Sequence, residues 1–203
     1  MTKGRLCRSL QHCAFIVVVM TLAACAPTLK QSHLPEDWQT HVEQAVAFDV
    51  WQVQGKLGLR SPQQNSSALL SWTQNKKEFV IAISGALGIG KNTLRGNDRR
   101  IEWVNDKGEK RIYHDPSEAL RVATGLDVPL NALRHWILGI PEPTLEFSNL
   151  ELDAGTAKRF QQAGWQLEYP RYQRSHGLAL PALVRARRDD VTLSIAISRW
   201  SEQ

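Results

Sequence analysis

The chain reads as a mainly β domain, a large antiparallel sheet carrying a helical insertion. Two observations predict this. From Trp51 onward, apolar and polar residues alternate with a period of two in run after run. Turn signals such as Asn97-Asp98, Asp106-Lys107-Gly108 and Asp189-Asp190 separate several of the runs. Between His114 and Thr144 the alternation stops, and two stretches with helix-capping chemistry replace it. Many short strands at such spacing make a sheet large enough to curl.

In chain order, residues 1–24 have the form of a secretion signal. Lys3, Arg5 and Arg8 give a positive start, Ala14 to Leu22 is a short apolar run, and Ala23 and Ala24 are small. That run is too short for a bilayer, which takes about 20 apolar residues to cross. Cys25 follows directly, and Leu22-Ala23-Ala24-Cys25 resembles the bacterial lipobox, in which the Cys is acylated and becomes the new N-terminus. Cys7 and Cys13 leave with the signal, so the processed chain keeps Cys25 alone and has no disulfide framework or thiolate metal site. Three of the 25 basic residues leave too, so 22 face 20 acidic ones. That near balance gives no reason to expect a nucleic-acid partner.

Residues 25–35 are rich in Pro, Ser, Gln and Thr and read as a lipid anchor and tether; residues 36–203 form the domain. A helix is expected from Pro35 to about Phe48, with Trp38, Val42, Ala45 and Val46 on one face. Strands are expected at 51–60, 68–73, 79–83, 92–96, 100–105, 110–114, 144–149, 157–162, 165–169, 183–187 and 191–200. Asp115-Pro116-Ser117-Glu118 has the form of a capping box, and Gly125 stands where that helix should stop. Pro129 opens a second helix through Leu138, with Leu130, Leu133, Trp136 and Ile137 on one side and Gly139 and Pro141 closing it. Their apolar faces need a partner, and the mouth of a curled sheet supplies one.

Chemistry-bearing motifs are few. Gly85-Ala86-Leu87-Gly88-Ile89-Gly90-Lys91 matches the skeleton of a phosphate-binding loop, but Asn92 stands where a hydroxyl should hold magnesium. Gly96 and Asn97 also spoil the helix that should receive the phosphates. The histidines after the signal, His33, His41, His114, His135 and His176, lack metal-ligand spacing, and no nucleophile elbow occurs. No metal, cofactor or catalytic residue is expected. The same glycine loop reads as a hairpin tip on which Leu87 either projects into solvent or folds back onto the sheet edge. Seven Trp, at 38, 51, 72, 103, 136, 165 and 200, signal a large core or an apolar cavity, and composition does not separate the two.

Several segments together resemble the LolB family of outer-membrane lipoprotein receptors. They are Trp51-Gln-Val-Gln-Gly-Lys-Leu57, Leu70-Ser-Trp72, Ser84-Gly-Ala-Leu-Gly88, Gln162-Ala-Gly-Trp165 with Tyr169, Leu180-Pro181 and Ile197-Ser-Arg-Trp200. The most specific is the Pro129-x3-Leu133-x2-Trp136-Ile137-x-Gly139 helix. The resemblance spans nearly all of the processed chain. It implies an open, curled antiparallel β-barrel of about eleven strands under a helical lid, enclosing a hydrophobic cavity for cargo acyl chains. Expected cavity and lid residues are Trp51, Leu57, Leu70, Trp72, Phe79, Ile81, Trp103, Leu133, Trp136 and Ile137. It also implies that Gly85, Ala86, Leu87 and Gly88 form a membrane-insertion loop with Leu87 displayed; family members commonly have Pro where Ala86 stands. Ala26 after Cys25 is similar to outer-membrane cargo in enteric-type sorting. The implied partners are a LolA-like periplasmic carrier, acylated lipoproteins and outer-membrane lipid, with the protein a monomer on the periplasmic face. Three acyl chains of about 15 methylenes each cost up to roughly 36 kcal/mol to expose to water. Cargo therefore needs continuous cover, and about 1.4 kcal/mol per step biases transfer tenfold without hydrolysis. Two rival readings are an envelope lipoprotein carrying another amphiphile and an anchored hydrolase with a polar cluster inside the barrel.

Overall fold

A computed structural model describes residues 36–125 and 127–202. The expected signal, Cys25 and the tether lie outside the described residues. Eleven strands pair in one antiparallel sheet of order β6-β5-β4-β3-β2-β1-β11-β10-β9-β8-β7. They are β1 (Val50–Arg60), β2 (Asn65–Asn75), β3 (Glu78–Ser84), β4 (Asn92–Gly96), β5 (Ile101–Val104), β6 (Lys110–Tyr113), β7 (Phe147–Asp153), β8 (Thr156–Gln162), β9 (Trp165–Ser175), β10 (Leu178–Arg188) and β11 (Val191–Ser201). First and last strands pair at the centre, so the edges are β6 and β7. The segment joining those two edges carries α2 (Pro116–Thr124) and α3 (Leu130–Trp136). The helical insertion thus sits in the chain where the sheet fails to close.

Inward positions follow the period-two pattern. In β1, Trp51, Val53 and Leu59 are buried while Gln54, Lys56 and Arg60 face water. Trp51 lies between Trp72 and Trp200, with ring centroids 5.3 and 5.5 Å away. The first helix, α1 (Glu36–Ala47), packs on β8 and β10. It buries Trp38, His41 and Ala45, whereas Val46 is 51% exposed. The expected stripe was therefore rotated too far: the buried positions run at spacings of three and four from Trp38, and Val46 falls outside them.

Four strands differ from expectation by three or more residues at an end, and β2 already starts at Asn65 rather than Ala68. The seventh strand starts at Phe147 rather than Thr144, because Thr144 N–H and Oγ1 donate to the Glu142 carboxylate (3.1 and 2.8 Å to Oε2). Leu145 carbonyl accepts from Gln162 Nε2 at 2.9 Å, so this segment is a turn. Strands β9 and β10 run through Pro170 and Pro181, where shorter strands were expected. Their register shifts between Pro181 and Leu183 and again before Arg185, so the prolines fall at irregular pairings that tolerate a missing donor. Residues Leu34–Gln203 form one compact unit containing the whole described core, so this unit can fold without the residues before it.

Candidate functional site

The lid meets the sheet through apolar side chains. Asp115 caps α2, accepting from Ser117 N–H at 2.8 Å, and Gly125 ends it at φ 73°. The bond goes to the second helical amide, with Pro116 pre-set at the first. The helix turns Leu120 and Thr124 inward, and Val128 and Leu133 follow from the linker and α3. Against them stand Leu57 of β1, Leu70 and Trp72 of β2, Ile81 and Ile83 of β3, and Leu193 and Ile195 of β11. The space left between is ≈ 20 Å³. Ligand pockets typically run to about 300–1,000 Å³. The interior beneath the lid is therefore filled by the lid's own side chains. An acyl chain enters only if lid side chains leave.

The other end of the lid is tied down by hydrogen bonds. Trp136 is fully buried, and its Nε1 donates to Gln162 Oε1 at 2.8 Å. The same Gln162 oxygen accepts from Glu142 N–H at 2.8 Å, and its Nε2 donates to the carbonyls of Glu142 and Leu145, each at 2.9 Å. Tyr169 donates to the Trp136 carbonyl at 3.0 Å. Burial pushes the Tyr169 phenol well above its usual range, so it stays a donor. Gly139 turns the chain at φ 83°, and a Cβ there would sit 2.8 Å from the Tyr172 hydroxyl, so only glycine fits.

The loop between β3 and β4 does the opposite with its leucine. Leu87 is 97% exposed and Ile89 is 72% exposed. Leu87 also adopts φ 56°, ψ 21°, left-handed backbone that costs a non-glycine residue about 1–2 kcal/mol. Leaving the side chain in water forgoes about 1.5–3 kcal/mol of burial. Leu87 thus combines left-handed backbone with an apolar side chain left in water. The loop's base is firm. Gly85 N–H donates to Ile89 carbonyl at 2.8 Å, Asn92 Nδ2 to Gly90 carbonyl at 3.0 Å, and Trp103 Nε1 to Asn92 Oδ1 at 2.9 Å. A strand follows Asn92 where a phosphate loop would open a helix. Register places the turns at 61–64, 85–91, 105–109 and 189–190 at one end of the sheet, since Arg60 faces both Asn65 and Thr192 and Leu69 faces Ser84.

Of the residues expected to line the interior, Leu57, Leu70, Trp72, Ile81 and Leu133 surround the closed cavity. Trp51 lies in the aromatic stack, Trp136 and Ile137 are fully buried at the tied end of the lid, and Trp103 braces the glycine loop. Phe79 borders a polar cleft of ≈ 220 Å³ shared with Arg134, His135 and Glu142. Sequence reading missed Leu120 and Val128 as lid contacts, Ile89 as a second exposed apolar residue, and Gln162 as the anchor. The Ile89 position, between Gly88 and Gly90, carried the same signal as Leu87. A polar Gln162 at the end of a strand carried none.

The family described as outer membrane lipoprotein LolB matches residues 49–200. The outer-membrane lipoprotein LolB of Ectopseudomonas mendocina is 36% identical over 199 residues, covering 94% of this chain and 96% of that one. The protein of the same name from Halorhodospira halophila is 29% identical, with 93% of each chain covered. Among solved structures, a LolA superfamily protein from Nitrosomonas europaea superposes with TM-score 0.50 at 8% identity, covering 81% of this chain and 93% of its own. A DUF1329 family protein from Desulfovibrio piger gives TM-score 0.52 at 8% identity, covering 82% of this chain and 91% of its own. The open, curled sheet is thus shared with chains of unrelated sequence.

Proposed function

The chain belongs to the LolB family of outer membrane lipoproteins, and from that premise we propose that it is the outer-membrane receptor that takes acylated lipoproteins from a LolA-like periplasmic carrier and inserts them into lipid. Cys25 carries the acyl anchor, residues 25–35 tether the barrel, and no chemical step is needed. What carries this reading is Leu87, held 97% exposed on a braced loop at one end of the sheet. A monomeric barrel with an apolar interior covers the cargo chains; the exposed leucine gives them a path into the bilayer. At rest the lid occupies the cargo's place, which spares the interior from water when no cargo is bound. Incoming chains displace Leu120, Val128 and Leu133 and substitute one apolar contact for another, so a small affinity gain per step drives transfer.

The test is transfer of a labelled triacylated lipoprotein from purified carrier to the soluble Leu34–Gln203 barrel, without nucleotide. Transfer to near completion is expected. No transfer to a folded barrel from an active carrier overturns the reading. In the anchored protein, Leu87→Glu should leave folding and cargo acceptance unchanged while membrane insertion of cargo falls at least tenfold; unchanged insertion would remove Leu87 from the mechanism.

A further inference from the structure

The outer face of the barrel carries a further concavity, unrelated to the interior. It is a groove of ≈ 660 Å³ across β2, β1, β11 and β10. Arg60, Arg185 and Arg187 stand around it, Thr192 and Ser194 contribute to its wall, and none of its lining residues is acidic. Arg187 has one carboxylate partner, Glu168 at 3.4 Å, which is also the cross-strand neighbour of Arg185. Neither Arg60 nor Arg185 has an ion-pair partner among the described residues. Asp189 and Asp190 lie in the turn beyond β10, outside the groove.

The floor is Gly58, a glycine in the middle of a strand. Such a residue costs about 0.5–1 kcal/mol relative to alanine and ordinarily marks a bulge, a positive φ or a close approach of another backbone. Its neighbour Gly55 fits that rule, since a Cβ there would lie 2.2 Å from the Ala196 carbonyl oxygen. Gly58 does not. It lacks a positive φ, and the nearest atoms to an added Cβ, on Ser194, are 3.9 Å away. A Cβ would make only ordinary contacts there, and what its absence does is leave space between the arginines.

We propose that this groove binds the phosphate of an anionic phospholipid headgroup and thereby seats the barrel on the membrane. Three arginines lining a hydroxyl-bearing groove match a phosphate diester, which accepts bidentate arginine donors. The lipid is favoured as the source because Arg60 and Thr192 lie at the same end of the sheet as Leu87 and Ile89. Exposed apolar residues beside unpaired cations are what a bilayer surface recognises, one through the acyl layer and the other through the headgroups. This rests on Leu87 marking the membrane-facing end, as read above.

The experiment is flotation of the soluble Leu34–Gln203 barrel with vesicles of phosphatidylethanolamine, with or without phosphatidylglycerol. Binding that depends on phosphatidylglycerol is expected. Arg60→Gln and Arg185→Gln should each weaken it about fivefold. Gly58→Leu, which changes no charge, should weaken it as much while leaving the melting temperature equal or higher. Lys77→Gln, at the other end of the sheet, should leave it unchanged. Binding that ignores Gly58→Leu, or falls equally with Lys77→Gln, is diffuse charge attraction and overturns the site. So does an absence of vesicle binding, or phosphate ion binding to the barrel in its place. Transfer from carrier, run on the same preparations, separates the two readings. Intact transfer with headgroup-independent flotation removes the groove alone, and lost transfer with headgroup-dependent flotation removes the receptor reading alone.

Discussion

The two ends of the lid are attached to the barrel by different physics. At the α3 end, Trp136, Glu142, Leu145 and Gln162 exchange four hydrogen bonds in a buried setting, and Tyr169 adds a fifth. At the α2 end, Leu120, Thr124 and Val128 rest on aliphatic side chains around a cavity of ≈ 20 Å³. Arg188 adds a polar tie to Asp127 on this side at 3.1 Å, with the Asp side chain 71% exposed. Hydrogen bonds buried away from water are directional and costly to break, because each orphaned group pays its own desolvation. Apolar contacts are not directional, and an acyl chain replaces them at almost no loss. The α3 end is therefore fixed by directional bonds, whereas the α2 face over the cavity is held by apolar contacts that an acyl chain can replace.

Breaking the anchor should have the largest effect. Gln162→Leu strands the Trp136 indole N–H and the Glu142 N–H, and should cost about 3–4 kcal/mol of stability in a denaturant titration. A loss no greater than that from an α2 substitution would contradict the anchor. Leu120→Ala should cost less, about 2 kcal/mol, since it enlarges a cavity that the surrounding apolar side chains can settle into. In native-state hydrogen exchange, amides of α2 should open before those of α3; the reverse order would contradict the anchor. Asp127→Asn removes only an exposed ion pair, so stability should change by less than about 1 kcal/mol. Cargo acceptance should quicken measurably in the transfer assay.

The smallest effect is on pH dependence. Burial, the largest cause, lowers the His135 pKa from its ordinary 6.5, so the imidazole on α3 is kept neutral in the fold. The unfolded chain binds that proton more readily. Stability from this site is thus full above about pH 6.5 and is lost as pH falls through that value towards the lower folded pKa. His135→Gln should flatten this acid limb of the melting-temperature profile; an unchanged limb would assign it elsewhere.

Much of this architecture was legible in the residues. Period-two alternation located all eleven strands, and the Asp115 and Gly125 caps located α2, because these signals are local and each residue reports its own neighbours. The glycines around Leu87 marked a hairpin tip for the same reason, but left open whether its leucine faced solvent or the sheet edge. Left undetermined were properties that depend on what lies across the barrel. Nothing near Gln162 in sequence says that Trp136, 26 positions away, will be its partner. The expected strands stopped short of Pro170 and Pro181, yet β9 and β10 run through both prolines at irregular register with each other. Whether seven tryptophans line a hollow or fill it is a question of volume, and volume belongs to the assembled sheet and lid. Sequence determined the elements and their inward faces, since both follow from backbone geometry and side-chain hydrophobicity. Only the tertiary structure decided that the cavity is closed, which end of the lid is bolted, and that Gly58 floors an arginine groove, because each arises where strands distant in the chain meet.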